Sequence, residues 1–329
     1  MTEITLSAGA GGRASLKLAE EVLFPILGGR DVNGYDAAVI DSGRAAVSTD
    51  SYVVSPLFFP GGSIGVLAAA GSINDVLTTG ARPQYLTCAL IIEEGLSAET
   101  LSSVLKDLRR EADRNGVTVV SGDTKVVPKG QCDKIFINTA CIGTLAGEAF
   151  CPGRIEPGDA VIVTGCLGEH ECSLMISRNR LGVEPISSDC AGLAPLILPF
   201  AEAVSGIKAM RDPTRGGIAS ALNELALQSG CSMEIDGPSL PVSPQVRAFC
   251  GAMGLDVTCL ANEGKMLIFV SPGSAGDAVE WLRSRPGGRD AAVIGRVTDR
   301  SPEPRVVLKT EVASRLLPMP SMEQVPRIC

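Results

Sequence analysis

The chain ends in a cysteine, Cys329, and this terminal thiol is its most distinctive candidate for chemistry. A terminal residue is tethered on one side only, so its sulfur can be carried into a pocket and withdrawn. Upstream prolines oppose regular structure and favour an extended arm; they are Pro302, Pro304, Pro318, Pro320 and Pro326. We therefore expect a flexible tail over residues 311–329 that presents Cys329 to a pocket. The alternative is a frayed terminus that has no function.

Four aspartates recur just after predicted strands or at predicted helix starts: Asp36, Asp50, Asp75 and Asp123. Carboxylate oxygens from separate elements suit Mg²⁺ that is bound together with substrate phosphates. Lys125 follows Asp123 by two residues, so in an extended segment both side chains face the same way. Two interpretations stay open: one shared metal–nucleotide site with a lysine beside it, or four turn and cap residues and an ordinary surface lysine.

Two glycine-rich segments have the composition of anion sites. Gly11 and Gly12 belong to GAGGR, where backbone N–H groups can approach a phosphate closely before a predicted helix. Arg215 lies in DPTRGG, directly before another predicted helix, and adds a cation to a helix start. The alternatives are a flexible turn in the first case and helix capping by Asp212 or Thr214 in the second.

Glu263 in NEGK directly precedes a predicted strand, where a carboxylate can serve as a general base. The alternative is a solvated turn glutamate. A cluster with the sequence CLGEHEC contains Cys166, His170 and Cys172 and has the residue types of a metal site. His170 is the only histidine and no CxxC pair completes four ligands, so structural zinc is the weaker interpretation there.

The bulk properties indicate a globular protein of two domains. The chain has 329 residues, 45% of them hydrophobic and 20% charged, with a net charge of −8. This charge argues against nucleic acid and anionic membrane as partners. The first residues lack the basic and apolar regions of a signal peptide, and the cysteines follow no disulfide framework. We expect a cytoplasmic protein.

Strand-like and helix-like segments alternate along the chain and predict an α/β (α+β) fold. In the first half the predicted strands are Ala37–Ile40, Ala45–Thr49, Gln84–Ile92, Val117–Val120 and Lys134–Thr144, and the helices are Ile64–Leu77 and Ala98–Arg114. In the second half the strands are Ala160–Thr164, Met266–Val270, Ala291–Val297 and Arg305–Lys309, and the helices are Ile218–Gln228 and Ala275–Arg283. Turn signals near Cys151 and Pro157 divide the chain into domains 1–153 and 154–310, followed by the tail.

Several strings together resemble one family, although each alone is weak. They are GAGGR, DAAVI, STD, GSINDVLTTGARP, VSGDTKV, DPTRGG, NEGK and the terminal PRIC. Nearly the whole chain resembles the HypE family of hydrogenase maturation proteins. That family is part of the PurM-like group, which includes aminoimidazole ribonucleotide synthetase and selenophosphate synthetase. The aspartate pattern is typical of the whole group, whereas PRIC resembles HypE in particular.

The resemblance implies a homodimer whose N-terminal domains pair into a β-barrel, a C-terminal α/β sandwich, and a cleft that binds ATP and Mg²⁺. It implies that the terminal cysteine accepts a carbamoyl group from the carbamoyltransferase HypF. ATP-dependent dehydration then yields an S-cyanate, whose cyano group passes through the HypC–HypD complex to the iron of a [NiFe] hydrogenase. ATP is needed because an amide oxygen is a poor leaving group until it is phosphorylated.

The resemblance also assigns residues. Asp50, Asp75 and Asp123 match the Mg–ATP aspartates, and Asn74 lies beside Asp75 in the same nucleotide-binding string. Lys125 and Glu263 match positions of the dehydration chemistry, with Lys125 and Mg²⁺ neutralising the phosphoryl group, and Cys329 matches the carrier thiol.

Two departures from the family pattern weaken particular assignments. Tyr35-Asp36 replaces a pair of aspartates, and Gly168–Glu171 replaces Gly-Asp-His-Gly. Two other functions stay open: a selenophosphate-synthetase-like kinase or synthetase, and a carrier that does no catalysis.

Overall fold

The computed structural model describes residues 12–23, 26, 37–40, 44–320 and 329. Its first element is helix α1 (Gly12–Leu18), which a π-helical turn (Ala19–Leu23) continues. Gly12 is thus the first residue of a helix, whereas Gly11 and Asp36 lie outside the described residues. Within those described ranges, no helix is long and apolar enough to cross a membrane.

The first half forms a five-stranded sheet with helices on one face. The strands run in the order β1-β2-β7-β5-β6. Their bounds are β1 (Ala38–Ile40), β2 (Ala45–Tyr52), β5 (Arg82–Glu93), β6 (Thr118–Val127) and β7 (Ile135–Thr144), and a short hairpin is made by β3 (Phe58–Phe59) and β4 (Gly62–Ser63). The helices are α2 (Ile64–Thr78) and α3 (Ala98–Arg114). The predicted bounds of α3 are confirmed, including its cap, because the Ser97 side chain accepts a hydrogen bond from Thr100 N–H.

Helix α2 packs close to its neighbours because it is built from small residues. A Cβ on Gly71 would lie 2.0 Å from the hydroxyl oxygen of Tyr52, and a Cβ on Gly65 would lie 2.1 Å from the carbonyl oxygen of Val104. Both approaches are possible only at glycine. The tight packing places the carboxyl-terminal half of α2 directly against β2.

Strand β6 is longer than predicted, and this changes the position of Asp123 and Lys125. The prediction ended at Val120, but β6 continues to Val127 and pairs in parallel with β5. Asp123 pairs with Ala89, Ala89 with Asn138, and Asn138 with Ser51. Because side chains alternate between the two faces of a sheet, Asp123 lies on the outer face and Asp50 on the helix-covered face.

The second half forms a seven-stranded sheet in the order β14-β13-β10-β12-β8-β11-β9. Its strands are β8 (Ala160–Val163), β9 (Ile207–Arg211), β10 (Cys231–Asp236), β11 (Leu267–Val270), β12 (Ala292–Arg300), β13 (Val306–Lys309) and β14 (Ser314–Leu316). Its helices are α4 (Glu169–Asn179), α5 (Ala194–Ala203), α6 (Gly217–Ser229), α7 (Pro244–Met253) and α8 (Ala275–Arg283). The two sheets and their helices confirm the mixed α/β fold in two layered units.

The start of the predicted flexible tail is ordered, which corrects that prediction. Strand β14 pairs with β13, and Leu317 N–H donates to Val306 carbonyl. The side chains of Leu317 and Met319 are buried. Apolar burial and sheet pairing therefore hold the chain to the second sheet well past residue 310.

Segment 188–194 joins the two halves. Ser188 N–H donates to Pro60 carbonyl, and Gly192 N–H donates to the Glu111 carboxylate at 2.7 Å. Ala194 N–H donates to the Asn115 side chain. These bonds reach α3 and the β3–β4 hairpin, so the segment holds the second half of the chain against the first.

Candidate active site

A polar cavity of about 450 Å³ lies between the two halves of the chain. One wall comes from β2 and α2, and the other from β9, the loop after it and the start of α6. The lining residues include Ser48, Asp50, Asp75, Arg211, Asp212, Thr214, Arg215, Ser220 and Glu224. Such a concave site, rich in carboxylates and cations, suits a charged ligand.

Asp50 and Asp75 face this cavity from adjacent elements, and hydroxyl groups fix both carboxylates. Ser72 donates to Asp50 at 3.0 Å, and Ser48 donates to Asp75 at 2.5 Å. Ser48, Asp50 and Tyr52 alternate along β2, so they share the face against α2. The structure thus brings two of the predicted metal ligands together. Neither serine was predicted as a site residue, although the alternation in STDSY was a signal for Ser48.

The start of α6 opens into the same cavity without a side-chain cap. Its N-cap is Gly216 at φ 76°, a left-handed conformation that favours glycine, and no described side chain bonds to the helix start. Capping by Asp212 or Thr214 is therefore wrong. The hydroxyl of Ser220, one turn along α6, is buried and has no hydrogen-bond partner among the described residues. A helix start without a side-chain cap and an unpartnered hydroxyl favour an anionic ligand there.

Cys329 lies at this cleft in its own chain. Val53 N–H, directly after β2, donates to the main-chain oxygen of Cys329 at 3.0 Å, and the cysteine side chain packs half-buried against the main core. Cys329 is also the main cause that raises the pKa of Arg215. The Val53 bond and this charge effect together place Cys329 beside β2 and near Arg215.

Glu263 is a buried carboxylate at the same cleft, which excludes a solvated turn glutamate. Only 4% of its surface is exposed, and its Oε1 has no hydrogen-bond partner within the described residues. Burial, followed by the negative charges of Asp212 and Asp189, raises the pKa of Glu263 well above its ordinary value, and Arg215 partly opposes this. A carboxylate with a raised pKa and an open oxygen has the properties of a general base.

Asp212 and Tyr52 complete the electrostatics of the cleft. Burial raises the pKa of Asp212, and the charge of Asp50 adds to this. Burial likewise raises the pKa of Tyr52, followed by the charges of Asp50 and Glu263. The tyrosine therefore stays neutral. The Asp50 carboxylate contributes to both raised pKa values, and a bound cation would offset its negative charge.

Two predicted residues have structural roles. Asn74 donates to Ala191 carbonyl at 3.1 Å and accepts from Leu193 N–H at 2.9 Å, so its amide joins α2 to segment 188–194 instead of facing a nucleotide. His170 is fully buried; its Nδ1 lies 2.8 Å from the Ser188 hydroxyl, and its ring stands edge-on to Phe59. Both residues therefore bind segment 188–194.

Asp123 and Lys125 lie apart from the cavity of their own chain. Their charged groups are 3.4 Å from each other, and both side chains are largely exposed on β6. They lie on the outer face of the sheet, three strands from β2. Among the described residues no group of three His, Cys, Asp or Glu is arranged to hold a metal ion. One chain therefore does not bring all the predicted ligands together.

Models of two families match the chain: the AIR synthase related protein N-terminal domain over residues 34–145, and the corresponding C-terminal domain over residues 156–307. The fold and the cleft thus define an AIR synthase related protein with both domains. The carbamoyl dehydratase HypE of Rhodobacter capsulatus is 41% identical over 335 residues, which cover 99% of this chain and 98% of that protein. The chain belongs to the HypE family.

Solved structures agree with this assignment. A crystal structure of a HypE–HypF complex has a TM-score of 0.88 at 41% identity and covers 92% of this chain and 99% of its own. A HypE structure in complex with ATP has a TM-score of 0.83 at 41% identity, and the match covers 99% of this chain and 100% of that one. The predicted family and its two-domain PurM-like fold are confirmed.

Proposed function

We propose that this chain is an ATP-dependent carbamoyl dehydratase that converts an S-carbamoyl group on Cys329 into an S-cyanate. The cyano group then serves the iron of a [NiFe] hydrogenase. The observation that carries the proposal is the hydrogen bond from Val53 N–H, which holds Cys329 beside the strand whose Asp50 lines the cavity. The buried Glu263 carboxylate, with an open oxygen, lies close enough for Asp50 and Arg215 to affect its pKa. The chain's own terminus is the substrate, so the carrier and the catalyst are one protein.

The cleft fits ATP with Mg²⁺. Asp50 and Asp75 offer hard oxygen ligands, and the uncapped start of α6 and the Ser220 hydroxyl offer donors to phosphate oxygens. ATP, when bound, supplies the phosphoryl group that turns the carbamoyl oxygen into a leaving group. The related HypE structure in complex with ATP supports this assignment.

The residues of the chain then have distinct tasks. Cys329 holds the carbamoyl carbon through its sulfur, and the Val53 N–H bond fixes the main-chain oxygen of Cys329 beside β2. Arg215 balances negative charge at Cys329. Glu263 accepts one N–H proton from the carbamoyl nitrogen as the carbon–oxygen bond breaks, and the second N–H proton passes to solvent. The oxygen leaves with the phosphoryl group as phosphate, so the carbamoyl group loses the elements of water and S–C≡N remains.

In a homodimer, Asp123 and Lys125 of one subunit would lie at the cleft of the other subunit. In the described part of the chain β6 pairs with β5 alone, and apolar side chains are exposed on the outer face of the sheet; they are Tyr85, Ile91 and Ile142. Such a face and edge favour pairing with a second copy, as in a β-barrel made by two sheets. We therefore assign Lys125 to the cleft of the partner subunit.

Membership of the HypE family supports the partners that we propose. HypF would donate the carbamoyl group, in line with the related HypE–HypF structure, and the HypC–HypD complex would receive the cyano group. The proposed compartment is the cytoplasm.

Asp75→Asn is expected to weaken ATP binding in the presence of Mg²⁺ by about tenfold or more, because a neutral amide is a poorer ligand for Mg²⁺. Titration calorimetry with ATP, with and without Mg²⁺, measures this. The control is Asp113→Asn, which changes an exposed carboxylate on α3 that pairs with Arg109. Equal affinity of the Asp75 variant and the wild type would remove Asp75 from the nucleotide site.

Mixing two inactive variants tests the assignment of Lys125. Lys125→Ala and Cys329→Ala are each expected to abolish cyanate formation, but mixed dimers should regain part of it. In a mixed dimer the chain that keeps Cys329 receives Lys125 from its partner. Mass spectrometry of the C-terminal peptide after co-expression measures the recovery. No recovery in verified mixed dimers would place Lys125 in its own subunit's site or outside the chemistry.

A further inference from the structure

The carboxylate of Asp189 binds the backbone at Glu263 and Gly264. Its Oδ1 accepts from Glu263 N–H at 3.2 Å, and its Oδ2 accepts from Gly264 N–H at 3.1 Å. In return, Ala191 N–H donates to Glu263 carbonyl at 3.1 Å. Two consecutive N–H groups on one buried carboxylate form a rigid clamp, since charge-assisted bonds to backbone donors are stronger than neutral ones.

The two segments meet so closely that only glycine fits at the contact. A Cβ on Gly264 would lie 1.9 Å from the Asp189 carbonyl oxygen. The Oε1 of Glu263 has no hydrogen-bond partner among the described side chains and backbone groups. The place of this oxygen in the cleft is therefore determined largely by the backbone that Asp189 and Gly264 fix.

Lys265 forms an ion pair with the Asp189 carboxylate. Its Nζ lies 3.2 Å from Asp189 and 3.5 Å from Glu169, and the Asp189 side chain is fully buried. Burial lowers the pKa of Lys265, but the charges of Asp189 and Glu169 raise it by more. A buried carboxylate without such a partner would be costly, so the lysine stabilises the clamp.

We propose that Asp189 is a positioning residue for the dehydration, acting through its two bonds to the backbone at 263–264 to place the Glu263 carboxylate against the carbamoyl nitrogen. This rests on the proposed function of Glu263 as the base. Asp189 lies in segment 188–194, which also binds α2 and α3. The base is therefore held by the segment that joins the two halves of the chain.

Asp189→Asn tests the proposal, because an amide offers one acceptor oxygen where two are needed. We expect hydrogen exchange of the peptide covering 262–266 to rise at least about tenfold. We expect kcat for cyanate formation to fall by about 100-fold while KM for ATP stays within about twofold, since a misplaced base impairs the chemical step. The matched control is Glu111→Gln, a buried carboxylate that binds Gly192 N–H of the same segment.

A second variant separates positioning from stability. Asp189→Asn leaves the Lys265 ammonium with Glu169 as its remaining partner, and Asp189→Asn with Lys265→Met and Glu169→Gln removes this buried ion pair. The triple variant should regain thermal stability relative to Asp189→Asn, and its kcat should stay low. Unchanged exchange at 262–266, or wild-type kcat in the triple variant, would overturn the proposal alone. A wild-type chain without ATP-dependent loss of water would overturn the proposed function and this proposal together.

Discussion

Cys329→Ala is expected to abolish carbamoyl transfer to the chain and every later step. The proposed carrier of the one-carbon group is the Cys329 sulfur, and alanine has no nucleophile in its place. Mass spectrometry of the intact protein measures this after incubation with the carbamoylating partner, carbamoyl phosphate and ATP. The wild type should gain one carbamoyl group on the C-terminal peptide and then lose water only when ATP is present.

The control for this variant is Cys259→Ala, since Cys259 is also half-buried but belongs to the second domain's core. It should be carbamoylated and dehydrated as the wild type is. Carbamoylation of Cys329→Ala would contradict the carrier assignment. Carbamoylation of the wild type without ATP-dependent loss of water would instead favour the carrier that does no catalysis.

Local patterns made part of the fold predictable. Helix α3 has one apolar face, a serine cap and an Asn-Gly stop, and all three signals lie within its own residues. Helix α5 is apolar nearly all round and contains Pro199, so its pattern indicated no helix. It is a helix because it is buried between the two halves of the chain, and a short window of sequence does not contain that information.

The same contrast applies to the site. Asp50 and Asp75 could be paired from the sequence because β2 and α2 are sequential elements in contact. The contact between Asp189 and Glu263 could not be predicted in this way, because 74 positions of the chain separate the two residues. The run Ser121–Lys125 has the exposed, polar character of a turn, and only parallel pairing with β5 makes it a strand. That non-local pairing decides which face Asp123 occupies.

Glu263→Gln is expected to leave carbamoylation of Cys329 and ATP binding unchanged and to lower cyanate formation by at least about 100-fold, because the amide does not accept a proton. The raised pKa of Glu263 predicts the pH dependence. Turnover in the wild type should rise with pH through that raised pKa, at higher pH than for an ordinary glutamate. Rates of water loss from the carbamoylated peptide across a pH series measure both effects.

The titration of Glu263 should also affect stability, in the opposite direction: turnover rises with pH, whereas the free energy of unfolding falls. Above the unfolded pKa and up to the raised folded pKa, the folded state binds more protons, so stability falls as pH rises through this window. Glu263→Gln should remove this fall and be more stable than the wild type at the alkaline end. Asp159→Asn is the control, because burial also raises the pKa of Asp159, which accepts from Glu156 N–H outside the cleft. It should change the pH dependence of melting and leave turnover intact. If Glu263→Gln kept both turnover and the fall in stability, the buried carboxylate would be neither the base nor the group that titrates.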